Sequence, residues 1–198
     1  RGVERALKAG TTLASVLEIA AEIRRRSEIP LVLFTYLNPV LKYGFEALAR
    51  DAAAKGIDGC LLTDLSVEEA GRYVEVTRAQ GLDTVFLAAP TSTPERLKLV
   101  AQYSSGFVYM VSRTGVTGER EKLSSSAQPL INSMRAITNL PLALGFGISR
   151  PEHAAELSGK VDAIAVGSAI VRIIEQNADS PRLETCLEAF ARELRNAL

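Results

Sequence analysis

The sequence of 198 residues contains no tryptophan, one histidine and two cysteines. With His153 as the only histidine, a His-rich zinc site or a Ser-His-Asp triad is not expected. Cys60 and Cys186 lie far apart and fit neither a disulfide framework nor a metal ligand set, so we expect a reducing, cytosolic setting and no metal. The formal net charge is zero, which gives no reason to expect nucleic acid as a partner. No apolar run approaches the roughly 18 residues of a membrane span, so no membrane partner is expected.

The sequence does contain six short apolar runs separated by helix-length amphipathic segments. Their nearly continuous apolar character is typical of parallel strands that are buried on both faces. The predicted strands are Pro30–Tyr36, Gly59–Leu62, Thr84–Ala89, Phe107–Val111, Leu140–Leu144 and Ala163–Val166.

Helix start and stop signals lie between these runs. Ser66–Glu69 and Ser149–Glu152 each have the spacing of a capping box. Thr93-Pro94 combines an N-cap residue with proline at the first helical position. Gly56 and Gly81 precede strands and are expected to end helices.

Six strand–helix units in a row predict a parallel α/β fold, either a doubly wound sheet or an arc of a (β/α)8 barrel. The first strand is not followed by the GxGxxG of a dinucleotide-binding sheet. A barrel needs roughly 250 residues, and two further units would bring the chain near that length. The chain also opens on Arg1-Gly2, without Met and directly in helical patterning. We therefore predict one domain, residues 1–198, that is a (β/α)8 TIM barrel without its first two strands and first helix.

Glycines cluster where the last three predicted strands end. The segments are Ser112–Gly118, Gly145–Ser149 and Gly167–Ile170. Such loops let backbone N–H groups approach an anion closely, and a short helix from Ser168 to Gln176 would add its N-terminal partial charge. Barrels often bind phosphate at this place, so the sequence predicts a phosphate site.

Five segments carry recognisable motifs: Tyr36–Pro39, Val85–Thr91, Tyr109–Gly118, Leu144–Ser149 and Val166–Val171. Together they resemble the tryptophan synthase alpha subunit family. Tyr109–Gly118 is similar to the mobile sixth loop of that family, and Leu144–Ser149 and Val166–Val171 match its late strand ends. Tyr36–Pro39 and Val85–Thr91 match at the third and fifth strands. The resemblance covers essentially the whole chain in order, and the combination is highly specific.

The resemblance implies a lyase that cleaves indole-3-glycerol phosphate, by a retro-aldol step, into indole and glyceraldehyde 3-phosphate in tryptophan biosynthesis. It also implies an alpha2-beta2 assembly with a tryptophan synthase beta subunit, which holds the pyridoxal phosphate, and no cofactor in this chain. The family's phosphate-binding backbone matches Gly118, Gly147, Gly167 and Ser168.

The resemblance also assigns roles to side chains. Arg113 and Thr117 lie on the loop expected to close over substrate, and Asp64 and Asn38 are expected at the subunit contact or in coupling. The residues expected to line the indole pocket are Phe34, Leu61, Leu87, Tyr109 and Phe146. A flat, apolar ligand requires such a lining.

The catalytic carboxylates of the family, a glutamate on the second strand and an aspartate on the next loop, would precede Arg1. The 198 residues by themselves are therefore expected to be inactive. Two alternatives stay open from the sequence: another phosphate-barrel isomerase, from histidine or tryptophan biosynthesis, and a non-catalytic barrel that binds a phosphorylated ligand and regulates a partner subunit.

Overall fold

The computed structural model describes residues 2–111, 123–145 and 147–198, and for residues 123–126 it describes the backbone alone. Its strands are β1 (Val32–Thr35), β2 (Gly59–Leu62), β3 (Asp83–Ala88), β4 (Val108–Val111), β5 (Leu142–Gly145) and β6 (Ala163–Ile164). Its helices are α1 (Gly2–Lys8), α2 (Leu13–Arg24), α3 (Leu37–Tyr43), α4 (Phe45–Ala54), α5 (Gly71–Ala79), α6 (Pro94–Tyr103), α7 (Leu123–Arg135), α8 (Pro151–Ala155), α9 (Ser168–Asn177) and α10 (Leu183–Ala197). A 3-10 turn lies at Val67–Glu69.

All six predicted strands are present, most of them shorter than the apolar runs. β1 begins two residues after Pro30, and β5 begins directly after Pro141. Proline has no N–H to give to a strand ladder, and neither Pro30 nor Pro141 lies within a strand. β6 has only two residues, although the Ala165 N–H continues its ladder by donating to the Leu144 carbonyl at 2.8 Å.

The chain divides into two compact units, and the first comprises Arg1–Phe86 and Lys98–Phe107. Within it β1 pairs with β2 and β2 with β3, all in parallel. An aromatic series fills the space between helices and strands, with neighbouring ring centroids 5.8–6.2 Å apart. It consists of Phe45, Tyr73, Phe86 and Tyr103.

The second unit comprises Leu87–Leu97 and Val108–Leu198. Here β4 pairs with β5 and β5 with β6, again in parallel. The core of this unit is formed by strand side chains and by one face of α7, and its fully or almost fully buried members include Val108, Met110, Leu130, Ile131, Met134, Leu142 and Leu144. That all 198 residues form one domain stays a prediction.

One three-part contact occurs in the first unit at the start of β1. Arg24, the last residue of α2, donates from Nη2 to Asp58 Oδ2 at 2.6 Å, and the Leu31 N–H donates to the same oxygen at 2.7 Å. Asp58 directly precedes β2. The contact therefore fastens the end of a helix and the starts of two neighbouring strands to one carboxylate.

The same contact recurs in the second unit. Arg135, the last residue of α7, donates from Nη2 to Asp162 Oδ2 at 2.5 Å, and the Leu142 N–H donates to that oxygen at 2.7 Å. Asp162 directly precedes β6. We call each of these two clusters a three-part lock.

Helix signals in the sequence are confirmed at some positions and wrong at others. Thr93 caps α6 by accepting the Arg96 N–H at 3.3 Å, and Pro94 is the first residue of that helix, as predicted. Gly56 and Gly81 adopt φ of +78° and +75° after the helices they end. This left-handed backbone is the conformation that favours glycine at a helix end.

The two predicted capping boxes do not form. The Ser66 hydroxyl donates to the Glu68 carboxylate two residues away, and a 3-10 turn follows in place of a longer helix. At the second box, α8 has Arg150 as its N-cap and no side-chain cap bond, so Ser149 lies one residue too early. In both places a local side-chain contact replaces the reciprocal pair of bonds.

Candidate functional site

Two of the three predicted glycine loops leave neighbouring strand ends in the second unit. β5 and β6 pair in parallel, with Leu144 opposite Ile164, so their carboxyl ends lie at the same edge. Gly147 follows β5 with φ of +85°, and Gly167 precedes α9; both are exposed. Backbone amides from the two loops are therefore available at one edge of this sheet.

The N-terminus of α9 supplies further amides at this edge. Gly167 is the N-cap, Ser168 is the first helical residue, and the first intrahelical bond runs from the Val171 N–H to the Gly167 carbonyl at 3.0 Å. The N–H groups of the first turn before Val171 have no intrahelical acceptor, and they carry the positive end of the helix dipole. A helix start of this kind favours phosphate or carboxylate. The predicted short helix, Ser168–Gln176, is confirmed by α9.

The space at Gly167 is open. A Cβ placed on Gly167 would meet no atom of the described residues within 4 Å, and the backbone there has φ of −113°, which any residue adopts. Glycine is therefore required neither by its own backbone angle nor by packing at this position. Close approach of a ligand to the backbone is a remaining physical reason for its presence.

The third predicted loop, Ser112–Gly118, is not among the described residues. Gly118, Arg113 and Thr117 lie in the segment 112–122, outside the described residues, as does Phe146. The predictions made for these four positions stay predictions.

The predicted indole-pocket residues that are described lie on four different strands. Phe34 on β1 and Leu61 on β2 are partners in the parallel register, so the first unit places them side by side. Leu61 is buried, whereas Phe34 is 59% exposed. In the second unit, Leu87 on β3 and Tyr109 on β4 are half-buried. This burial raises the pKa of the Tyr109 hydroxyl, which is therefore a neutral hydrogen-bonding group at neutral pH.

Tyr109 packs against the last residue of β5. A Cβ built on Gly145 would lie 2.0 Å from the Tyr109 hydroxyl oxygen and 2.4 Å from its Cζ. Because no real Cβ approaches so closely, Gly145 is required by the position of the Tyr109 ring. This contact sets the ring at the strand end from which the Gly147 loop departs.

Asp64 and Asn38 are brought together at the start of α3 in the first unit. The Asp64 Oδ1 accepts the N–H of Leu37, the first residue of α3, at 2.6 Å. Asn38 follows in the same turn and is exposed. The loop before Asp64 is tied to β1 as well, because the Thr63 N–H donates to the Thr35 carbonyl at 3.0 Å. A carboxylate from one loop thus acts as the N-terminal cap of the helix in the preceding βα unit.

His153 also contacts the candidate phosphate site, and sequence reasoning assigned it no role. Its Nδ1 accepts the Ser149 N–H at 3.3 Å, just after the Gly147 loop. The Ser149–Glu152 spacing predicted a capping box that begins at Ser149. The helix instead has Arg150 as its N-cap and His153 as its third residue, and His153 accepts from Ser149, the residue before the N-cap. The presence of histidine at that position was the available signal.

Other kinds of site find no support in the described structure. Among residues 2–111, 123–145 and 147–198, no group of three His, Cys, Asp or Glu side chains is placed to hold a metal ion. Within the same part of the chain, no helix has both the length and the apolar character needed to cross a membrane.

Comparison with known proteins decides between the open alternatives. The family model described as tryptophan synthase alpha chain matches residues 1–198. The chain belongs to the tryptophan synthase alpha chain family. This family comprises lyases of tryptophan biosynthesis, and membership in it does not favour the isomerase or the non-catalytic regulator.

Two relatives show how closely the chain follows the family. The tryptophan synthase alpha chain of Solibacter usitatus is 70% identical over 195 residues, which cover 98% of this chain and 73% of the relative. That of Geobacter sulfurreducens is 44% identical over 173 residues, which cover 87% of this chain and 66% of the relative. The chain thus spans about two thirds to three quarters of these relatives' length.

Solved structures of tryptophan synthase confirm the barrel prediction. A structure of the alpha2-beta2 complex from Pyrococcus furiosus superposes with a TM-score of 0.89 at 39% identity, covering 98% of this chain and 77% of that chain. A structure of the alpha subunit from the same organism gives a TM-score of 0.87 at 38% identity with the same coverage. The chain therefore has the fold of a partial (β/α)8 barrel, as its six strand–helix units predicted.

Proposed function

We propose that the full-length protein cleaves indole-3-glycerol phosphate into indole and glyceraldehyde 3-phosphate. The observation that carries the proposal is the pair of loops at Gly147 and Gly167, which leave one sheet edge, together with the first-turn N–H groups of α9, which have no intrahelical acceptor. Membership in the tryptophan synthase alpha chain family supports indole-3-glycerol phosphate as the substrate whose phosphate group binds at this site. The biosynthetic role of the family also supports a cytoplasmic location.

In this proposal the backbone holds the phosphate and the strands hold the ring. Gly147, Gly167, Ser168 and Gly118 donate N–H groups to the phosphate oxygens. The indole lies against apolar side chains, which bind it by excluding water. Those side chains are Phe34, Leu61, Leu87, Tyr109 and Phe146.

The residues 112–122 carry the closing loop of the proposal. Arg113 and Thr117 would come over the bound substrate and exclude water from the reacting bond. The proton transfers of a retro-aldol cleavage need a general acid and a general base. We propose that these are two carboxylates outside the 198 residues, contributed by the part of the relatives' length that this chain does not span.

Gly167→Ala tests the phosphate site directly. The described part of the chain leaves room for the methyl group, since its Cβ meets none of those atoms within 4 Å. It would occupy space next to the amides that hold the phosphate. In the full-length protein we expect the KM for indole-3-glycerol phosphate to rise about tenfold or more, equivalent to roughly 1.4 kcal/mol, with little change in Tm.

Gly71→Ala is the matched control, because a Cβ at Gly71 makes only an ordinary contact, 3.8 Å from the Tyr103 hydroxyl. It should leave the KM unchanged. A Gly167→Ala protein with the KM of the wild type would contradict the phosphate site. Absence of indole release by the wild-type full-length protein would contradict the proposed reaction.

We further propose a tryptophan synthase beta chain as partner, contacted through the start of α3. The related Pyrococcus furiosus protein is found in an alpha2-beta2 complex. Asn38 is exposed in the first turn of α3, whose N-terminus is fixed by the Asp64 carboxylate. This places a polar side chain on a rigid support, which suits a specific contact.

Asn38→Lys in the full-length protein should weaken binding to the beta chain by about tenfold, because it introduces an unpaired charge at the contact. Asn132→Lys makes the same change at an exposed position of α7 and should leave binding unchanged. Equal affinities of both variants, measured by titration calorimetry, would place the contact elsewhere.

A further inference from the structure

The loop after β5 is held at two points on its C-terminal side. Ile148 is 4% exposed, so its side chain is anchored in the core. The N–H of the next residue, Ser149, donates to His153 Nδ1 at 3.3 Å. Between these anchors and the end of β5 lies Gly147, whose backbone has φ of +85° and is exposed. The course of the chain at Gly147 therefore depends on where Ile148 and Ser149 are fixed.

His153 provides the side-chain acceptor for the chain that enters α8, since it accepts the Ser149 N–H. The N-cap residue Arg150 makes no side-chain cap bond, and Pro151 at the first helical position has no N–H. His153 is the third helical residue, the position from which a side chain normally reaches back to the chain entering a helix. Here it reaches one residue further back than in a capping box, to Ser149 and thus to the end of the glycine loop.

The imidazole can serve only one donor at a time. A neutral ring has one acceptor nitrogen and one N–H, so accepting from Ser149 at Nδ1 places the hydrogen on Nε2. The exposed guanidinium of Arg150 approaches Nε2 at 3.3 Å and competes for the ring only in the other tautomer. The half-buried backbone donor has fewer alternatives in water than the exposed arginine, which favours the bond to Ser149.

We infer that His153 is a positioning residue for phosphate binding, acting through the Ser149 amide on the Gly147 loop. This rests on the proposed function of that loop. By holding Ser149, His153 keeps the loop amides in the arrangement that a phosphate group requires. Without this bond, phosphate binding would have to order the loop, and the cost of that ordering would reduce affinity.

Two variants at position 153, His153→Asn and His153→Leu, have side chains of nearly equal shape. Comparing them separates the effect of the hydrogen-bond acceptor from the effect of side-chain volume. Asn carries an oxygen near the position of Nδ1, whereas Leu fills the same space without an acceptor. In the full-length protein, His153→Leu should weaken the binding of inorganic phosphate by about fivefold to tenfold, the effect of one lost hydrogen bond. The KM for indole-3-glycerol phosphate should rise by the same factor. The kcat should stay within about twofold, and His153→Asn should restore both binding values.

Two further variants complete the test. Glu152→Gln changes an exposed residue of the same turn and should bind phosphate like the wild type. If His153→Leu does not fold, His153→Gln replaces it, because its oxygen lies one bond further out and faces Arg150 in place of Ser149. That variant should bind phosphate more weakly than His153→Asn.

The outcomes separate the two claims. Normal phosphate affinity in folded His153→Leu, or equal affinities of the Asn and Gln variants, would overturn the role of His153 alone. A wild-type protein that neither binds phosphate nor releases indole would instead overturn the proposed function.

Discussion

The Tyr109 ring rests on the backbone of Gly145, so closely that a single methyl group on Gly145 would lie 2.0 Å from the tyrosine hydroxyl oxygen. The two residues belong to the paired strands β4 and β5 of the second unit. Because Gly145 has no side chain, the ring can lean over the end of β5. The structure thereby couples a candidate indole-binding residue to the strand that leads into the candidate phosphate loop.

Gly145→Ala should destabilise the protein by about 1–3 kcal/mol, because the new methyl forces the Tyr109 ring or strand β5 to move. Urea unfolding at equilibrium measures this change. The double variant Tyr109→Ala with Gly145→Ala should cost clearly less than the sum of the two single changes, since removing the ring makes room for the methyl. Additive costs would show that the clash is relieved in some other way.

Asp64→Ala should destabilise the chain by about 1 kcal/mol, the usual cost of removing a helix cap. The cause is loss of the acceptor for the Leu37 N–H, since the N-cap residue Tyr36 makes no side-chain cap bond. Asp64→Asn keeps an oxygen but loses the charge at the helix N-terminus, so a smaller loss is expected.

The control for this prediction is Asp179→Ala, which removes an exposed carboxylate from the turn between α9 and α10. Its urea midpoint should match that of the wild type. If Asp64→Ala unfolds at the same midpoint as this control, the cap contributes nothing measurable.

Asp162 should make the protein less stable in acid. The hydrogen bond from the Leu142 N–H, and then that from Arg135, hold the pKa of the Asp162 carboxyl below its ordinary value of 3.8. The unfolded chain therefore takes up a proton at higher pH than the folded chain. The contribution of the ionised Asp162 carboxylate to the free energy of unfolding is fully present above about pH 4. It is lost as the pH falls through the pKa of the folded protein.

Asp162→Asn removes this titration, so its unfolding free energy should depend less on pH between about pH 4 and pH 2. Above pH 4 the variant should be less stable than the wild type by about 1 kcal/mol, the typical worth of a hydrogen bond. Urea midpoints measured across this range provide the comparison. Parallel pH profiles of the two proteins would refute the assignment.

Cys60 should resist alkylation in the folded protein. Burial raises the pKa of its thiol to about 12, and only the thiolate reacts with iodoacetamide. Cys186 is half-buried and should be modified first. Mass spectrometry after alkylation at neutral pH should therefore show one labelled cysteine, and both only after unfolding. Rapid labelling of Cys60 without denaturant would contradict its burial.

The sequence predicted those parts of the fold that depend on neighbouring residues. Apolar runs predicted the strands, because a strand buried on both faces needs apolar residues throughout. Thr93 was predicted correctly as a cap, since its partner Arg96 is three residues away. The predicted box at Ser66 was wrong because the serine hydroxyl finds the Glu68 carboxylate nearer than a helical N–H.

What the sequence could not predict is the set of contacts that join distant segments. Asp64 caps a helix that begins 27 residues earlier, and no local pattern specifies that pairing. The burial of Tyr109 over Gly145 depends in the same way on strand pairing. The resemblance to the family drew attention to Asp64, Tyr109 and Gly147, and the structure supplied the contacts that they make.

The three-part locks have a consequence for how this barrel can be altered. Each consists of an arginine at a helix end, a strand-start amide and the aspartate that opens the following strand, and each lies wholly inside one unit. The segments from α2 to β2 and from α7 to β6 therefore each contain all three groups of the contact that joins their first helix to their two strands. Segments cut at these boundaries are the natural pieces for duplicating, shuffling or transplanting parts of the barrel.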